Sequence, residues 1–175
     1  LVSFAVTTEK AENIISNEFK AAGDKVVLLR PETDENGLPV TESLIGIFDT
    51  VTNLIRSGKA RAVYTPGMGG VAEAVMKMAF GNGLGFAFHR SVTAETIFGY
   101  SYGCFVAELS GSAETAGELL GEVTADAGIS YRGEKVSLEK LLAIYEDKLE
   151  SVYSCNIKNG GKPAGNFSYV AEKRV

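Results

Sequence analysis

The sequence predicts an α+β fold, an α/β sandwich in which a mixed sheet is packed by helices. Three observations carry this. Strand-like and helix-like segments alternate only through the first half of the chain, whereas the second half is dense in short strands. Lys25 to Arg30 (KVVLLR) is a continuous apolar run suited to a buried strand. One long helical stripe follows it. Alternation confined to one half argues against a purely doubly wound parallel sheet.

The elements follow in order. Ser3 to Thr8 (SFAVTT) is β-branched and aromatic and reads as a strand. Glu9 to Asp24 ends in a Gly23-Asp24 turn, and Lys25 to Arg30 is the next strand. Pro31 to Pro39 carries Pro, Asp, Asn and Gly, the composition of a surface loop. Thr41 is placed to cap a helix. Leu44, Ile45, Phe48, Val51, Thr52 and Ile55 then recur at steps of three and four, an apolar stripe that predicts burial of Phe48. Ser57-Gly58 ends that helix. Ala60 to Tyr64 is a strand, Thr65 to Gly70 a Gly-rich turn, and Val71 to Phe80 a second helix closed by Gly81-Asn82-Gly83. Leu84 to Phe88, Phe105 to Leu109, Leu119 to Thr124 and Ile129 to Tyr131 read as strands. Lys135-Val136 pairs back around Arg132-Gly133. Ser137 caps a last helix, Leu138 to Leu149, with Glu139 and Glu146 exposed, and Asn159-Gly160-Gly161 offers a hairpin turn.

At 175 residues the chain is one domain's worth, and residues 1–175 are taken as a single domain able to bury a core. Its hydrophobic share of 45% and charged share of 22% are those of a soluble globular protein. A net charge of -5 argues against non-specific nucleic-acid binding, which wants a basic face. No apolar run is long enough for a membrane span. The start lacks an initiator Met and a basic leader, so the chain is expected to be excised from something longer. Cys104 and Cys155 make no disulfide framework and are expected as free thiols in a reducing cytoplasm.

The turn TPGMGG (residues 65–70) is the strongest local feature. Between a buried strand and a helix, it offers unpaired N–H groups at a positive helix end, where a phosphate can sit. An equally good reading is that its glycines only permit a tight turn and close packing. The spacing is neither that of a Rossmann turn nor that of a Walker turn. Ala72, Val75, Met76, Ala79 and Phe80 fall on one side of the helix, with Glu73 and Lys77 paired at i,i+4 opposite. Glu73 is a solvated surface carboxylate or, being in the first turn, a ligand-facing one. Tyr100 and Tyr102 in FGYSYGCF (residues 98–105) line a cleft or simply cover loop backbone. The lone His89 has no catalytic or zinc-binding neighbours and reads as an exposed strand-end residue. No nucleophile–base pair exists, so no catalytic residue and no metal ligand is assigned.

The run TPGMGGVAEAVMKMAFGNGLGF (residues 65–86) resembles a segment of the carboxy-terminal lobes of phosphoribosylformylglycinamidine synthases. In those lobes a buried strand leads through H-D-x-S-D-G-G-L into an alanine-rich helix ending EMAF. LVSFAVTT (1–8) with KVVLLRPE (25–32), IFGYSYGCFVAEL (97–109) and GEVTADAGISYRGEKVSLEKL (121–141) fit the same lobe in order. The resemblance implies an AIR synthase C-terminal-domain-like fold within a larger enzyme that also holds amino lobes and a glutaminase domain.

That enzyme uses ATP, magnesium and glutamine-derived ammonia to convert formylglycinamide ribonucleotide to its amidine in purine biosynthesis. ATP phosphorylates the amide oxygen and ammonia displaces the phosphate. The resemblance places Thr65, Gly67, Gly69, Gly70 and Val71 against phosphate or substrate, with Glu73, Tyr100 and Tyr102 lining the cleft. It implies no cofactor held tightly by this lobe, no activity by the lobe alone, a cytoplasmic setting, and partners limited to the parent's other domains and a ribonucleotide. The chain departs from the pattern at Tyr64-Thr65, where relatives carry His-Asp, and at Tyr100, where they carry Glu. These departures suggest a lobe of the second half serving a structural nucleotide site, and the loop from Pro31 to Pro39 suggests the large single-chain form. Two alternatives stand beside it. One is a nucleotide-binding lobe of another superfamily member. The other is a scaffold module without chemistry.

Overall fold

A computed structural model describes residues 2–111 and 116–154. The chain forms two compact units, Leu1–Leu142 and Ala143–Val175. The first holds a seven-stranded mixed sheet. Its strands are β1 (Lys25–Leu29), β2 (Ala60–Tyr64), β3 (Gly85–Phe88), β4 (Phe105–Leu109), β5 (Glu118–Thr124), β6 (Gly128–Tyr131) and β7 (Glu134–Ser137), in spatial order β2-β4-β1-β5-β3-β6-β7. All neighbours are antiparallel except β3 and β6, which run parallel. The helices are α1 (Thr41–Arg56), α2 (Gly70–Asn82), α3 (Ala94–Phe98) and α4 (Leu138–Asp147).

The apolar run of β1 is explained by burial on both faces. Val26 and Leu28 join a core with α2 residues Val71, Val75 and Met78, with Ile97 of α3 and with Leu138 of α4. Val27 and Leu29 face the other way, into a smaller core with Val51 and Leu54 of α1. A strand covered by helices on both sides has no polar face to show. The predicted sandwich of a mixed sheet between helices is the observed architecture.

Several local expectations change. Residues 3–8 form no strand. Phe4 and Val6 are each 91% exposed, and the first regular piece is a single 3-10 turn, Ala11–Asn13. The segment has strand composition but pairs with no strand among the described residues, and backbone pairing is what makes a strand. Thr41 is the first helical residue rather than the cap. Val40 takes the cap position without a side-chain hydrogen bond. The buried face of α1 centres on Val51 and Leu54, while Ile45 and Phe48 remain 53% and 46% exposed. Phe48 only sets its ring edge against Phe105, 5.8 Å away. The stripe was phased toward Ile45 and Phe48, whereas the helix meets the sheet one step round, through Leu54. The phase of α2 also turns: Ala74 and Met78 are buried with Val75 and Ala79, while Ala72 and Met76 line an open groove. That helix ends at Gly83 in the left-handed region, φ 66°.

The short helix α3 was not expected; Thr93 caps it by accepting the Thr96 N–H at 3.1 Å. Ser137 does cap α4, accepting the Lys140 N–H at 3.3 Å, and Arg132 and Gly133 make the β6–β7 turn with φ 50° and 93°. α4 stops at Asp147 rather than Leu149. Cys155 and Asn159-Gly160-Gly161 lie outside the described residues.

Candidate functional site

Strand β2 delivers the chain to the Gly-rich turn, and α2 leaves from it. Gly67 and Gly70 close the turn as an isolated bridge, with the Gly70 N–H donated to the Gly67 carbonyl at 3.1 Å. Gly70 has φ 64°, and a Cβ there would lie 2.6 Å from the carbonyl oxygen of Gly99 and 3.2 Å from that of Ile97. Glycine is therefore required at this position twice over, by the left-handed backbone and by the close approach of the end of α3.

Gly67 and Gly69 serve another purpose. The Glu73 side chain folds back along α2 and accepts the Gly69 N–H at 2.8 Å through Oε2. Its other oxygen lies 2.6 Å from Lys77 Nζ. A Cβ on Gly67 would meet Glu73 Oε2 at 2.9 Å, and one on Gly69 would meet Glu73 Cβ at 2.7 Å. The carboxylate thus fills the space that the two glycines leave. This is the backward reach of a capping box from one position deeper in the helix. The Lys77 ammonium, then the Gly69 amide, hold the Glu73 carboxyl below its ordinary value of 4.5.

Beside the turn runs an apolar groove of about 650 Å³. Gly69, Ala72, Glu73 and Met76 form one wall, and Phe88, Ile129, Tyr131, Val136 and Leu141 belong to the floor and far side. An aromatic series leads into it from the core: Phe19 stacks on Phe86, Phe86 meets Phe88 edge-on, and Phe88 meets Tyr131 edge-on. Tyr131 Oη donates to the Val92 carbonyl at 2.6 Å, which anchors the loop before α3.

The other sequence-predicted residues are placed elsewhere. Tyr100 and Tyr102 stack on one another at 6.0 Å and are both largely exposed. Tyr100 borders a separate polar hollow with Arg30, Glu95 and Glu118, and Tyr102 borders neither space. Thr65 and Val71 flank the turn, and Val71 is fully buried. His89 is exposed at the end of β3, its Nδ1 2.7 Å from Ser91 Oγ. Among the described residues no group of three or more His, Cys, Asp or Glu side chains gathers as a metal site would require. No helix among the described residues is long and apolar enough to cross a membrane.

Sequence reasoning named Glu73 as cleft-lining and missed the groove that it borders. The Glu73–Lys77 spacing was legible, but the return of Glu73 to Gly69 needs the turn's shape. The groove floor comes from β3, β6 and β7, which are brought together only by the sheet order.

No family model matches the sequence. Solved structures do match its fold. Thermotoga maritima PurL complexed with ATP superposes with a TM-score of 0.61 at 17% identity, covering 75% of this chain and 27% of that one. The fold is that of a PurL lobe. Phosphoribosylformylglycinamidine synthase II from Thermotoga maritima gives 0.61 at 15% identity over 75% of this chain and 28% of its own. PurLQS from the same organism gives 0.64 at 14% identity, again over 75% and 28%. The chain spans little more than a quarter of the PurL chains it matches.

Proposed function

We propose that the chain is one lobe of an ATP- and glutamine-dependent amidoligase of the phosphoribosylformylglycinamidine synthase type, working in purine biosynthesis in the cytoplasm. The observation that carries this is the likeness of its fold to that of Thermotoga maritima PurL complexed with ATP. The four sequence blocks in register point the same way. In this reading the rest of the enzyme brings amino lobes, a glutaminase domain, ATP, magnesium and the ribonucleotide. The turn from Thr65 to Val71 is the part of this lobe that faces the phosphates.

As they stand, the residues of that turn do not fit a phosphate. The Gly69 amide is donated to a carboxylate, the Gly70 amide to the Gly67 carbonyl, and the Lys77 ammonium is paired with Glu73. We therefore assign ATP and magnesium to other lobes of the parent and derive no chemical step through this one. The same observation favours the second reading, a lobe that shapes its partner without holding nucleotide.

The experiment is complementation. The parent enzyme lacking residues 1–175 is mixed with the purified chain, and ATP-dependent formation of the amidine is followed. Restored turnover, with none from either piece alone, supports the amidoligase reading. Turnover by the chain alone, or full turnover by the parent without it, overturns that reading.

A further inference from the structure

We propose that residues 3–8 are a strand donated to another lobe of the longer protein, where they pair with an open sheet edge that carries an apolar face. The inference rests on the reading of this chain as one lobe of a larger enzyme, and it names what one surface of that lobe meets.

The segment has the pattern of a strand and none of its pairing. Val2, Phe4 and Val6 alternate with Ser3, Ala5 and Thr7, so an extended backbone puts the three large apolar side chains on one face. They are 79%, 91% and 91% exposed, and the segment pairs with no strand among the described residues. Its root is nevertheless fixed. Glu9 is paired at 2.8 Å with Arg56, the last residue of α1, a few positions before β2 begins. The segment thus starts near an open edge of the sheet, since β2 pairs only with β4, and still stays off it. That edge is a poor match. β2 has five residues, and its register shifts between Ala60 and Ala62, a bulge that bends the strand a newcomer would follow. The other edge, β7, has four residues and carries exposed Glu134 and Lys135, the kind of charges that keep an edge from pairing. Residues 3–8 extend over about 20 Å, longer than either edge. The chain spans little more than a quarter of the PurL chains it matches, so most of the surface that could supply a longer edge lies outside it. The segment itself sets the partner's chemistry: unpaired amides and carbonyls along one edge, with uncharged β-branched or aromatic side chains where Phe4 and Val6 arrive.

The test is hydrogen exchange, read by mass spectrometry on the intact longer protein and on this chain by itself. In the intact protein the amides of residues 3–8 should exchange at least about a hundredfold more slowly than in the chain by itself, as paired strands do. Two changes then probe the pairing. Ala5→Pro with Val6→Pro removes one N–H from each edge of the strand, and Phe4→Asp puts a charge on its apolar face. Each should return the remaining amides to fast exchange in the intact protein. Neither should move the melting temperature of the chain by itself, which shows that the lobe stays folded. Equally fast exchange in both unaltered proteins would overturn the proposal, and so would slow exchange that survives either change. Protection in the chain by itself that grows with its concentration would overturn it too, because the segment would then serve a second copy. The outcome is separable from the amidoligase reading. Fast exchange in an enzyme that makes the amidine removes only this proposal, whereas protected amides in a protein without that activity remove only the amidoligase reading.

Discussion

Glu108 on β4 holds the backbone of Lys20, 88 positions away, through both carboxylate oxygens at 3.0 and 2.9 Å. The Ala21 N–H joins at 2.9 Å. Glu108 is fully buried, and its neighbours Asp24 and Arg61 form an ion pair at 2.8 Å. The segment before β1 is docked by this carboxylate together with Phe19, whose N–H is donated to Met78 and whose carbonyl accepts Asn82 Nδ2. Glu108→Ala strands two amides and opens a cavity. It should destabilise the fold by about 2–4 kcal/mol in urea unfolding. Glu108→Gln keeps an acceptor and should cost far less. Equal losses for the two variants would show that acceptance by the side-chain oxygen is not what matters.

Burial raises the Glu108 carboxyl above its ordinary value of 4.5, against the lowering by the Ala21 and Lys20 amides. The folded chain therefore binds that proton more tightly than the unfolded chain. The stabilisation from protonation is full below pH 4.5 and is lost as pH rises through the folded value. Glu108→Gln removes this dependence, so its stability relative to the unaltered chain should rise as pH rises through that window. A constant difference at every pH would contradict the raised value.

Glu73 behaves in the opposite sense. Its carboxyl is lowered by Lys77 and the Gly69 amide, so its contribution is present above pH 4.5 and is lost as pH falls through the folded value. The loss is small, because the side chain is about one quarter exposed and such pairs contribute about 0–1 kcal/mol. The Gly69 amide should exchange faster with solvent once Glu73 is protonated, relative to its own pH-corrected rate. An unchanged protection factor across that range would mean the 2.8 Å contact does not hold in solution.

Gly70→Val combines φ 64° with a Cβ only 2.6 Å from the Gly99 carbonyl oxygen. We expect a loss of about 2–4 kcal/mol in thermal or urea unfolding. Gly67→Ala meets only the far end of Glu73, at 2.9 Å. It should cost about 1 kcal/mol or less while displacing the carboxylate from Gly69. If the two substitutions cost the same, the close approach of α3 to Gly70 is not the constraint.

Cys104 is 2% exposed, and burial raises its thiol above the ordinary 9.0. The thiolate is the reactive form, so the native chain should resist an alkylating reagent at Cys104 and react fully once unfolded. Peptide mass spectrometry separates this residue from Cys155. Rapid native modification at Cys104 would show that the core around β4 opens readily.

Residue chemistry and period alone were enough for the strands whose apolar character survives any context. Lys25 to Leu29 and Phe105 to Leu109 are buried on both faces, and Ala60 to Tyr64 with its buried Ala60 and Ala62 and exposed Arg61 is β-branched and aromatic enough to read as a strand as well. The α+β class, the helix after the Gly turn, the Ser137 cap and the Glu73–Lys77 pair were legible for the same local reason. Each depends on neighbours within about four residues. The tertiary structure decided what depends on distant partners. It left Ser3 to Thr8 unpaired, because strand propensity needs a second strand. It rotated α1 so that Val51 and Leu54 are buried, while Phe48 stays half exposed with only its ring against Phe105. It brought β3, β6 and β7 together beneath α2 to make a groove. It also decided between the two readings of the glycines: Gly70 admits the end of α3, and Gly67 and Gly69 admit a carboxylate from the chain itself. Side-chain return and close backbone approach are matters of three-dimensional distance, and a linear sequence does not contain those distances.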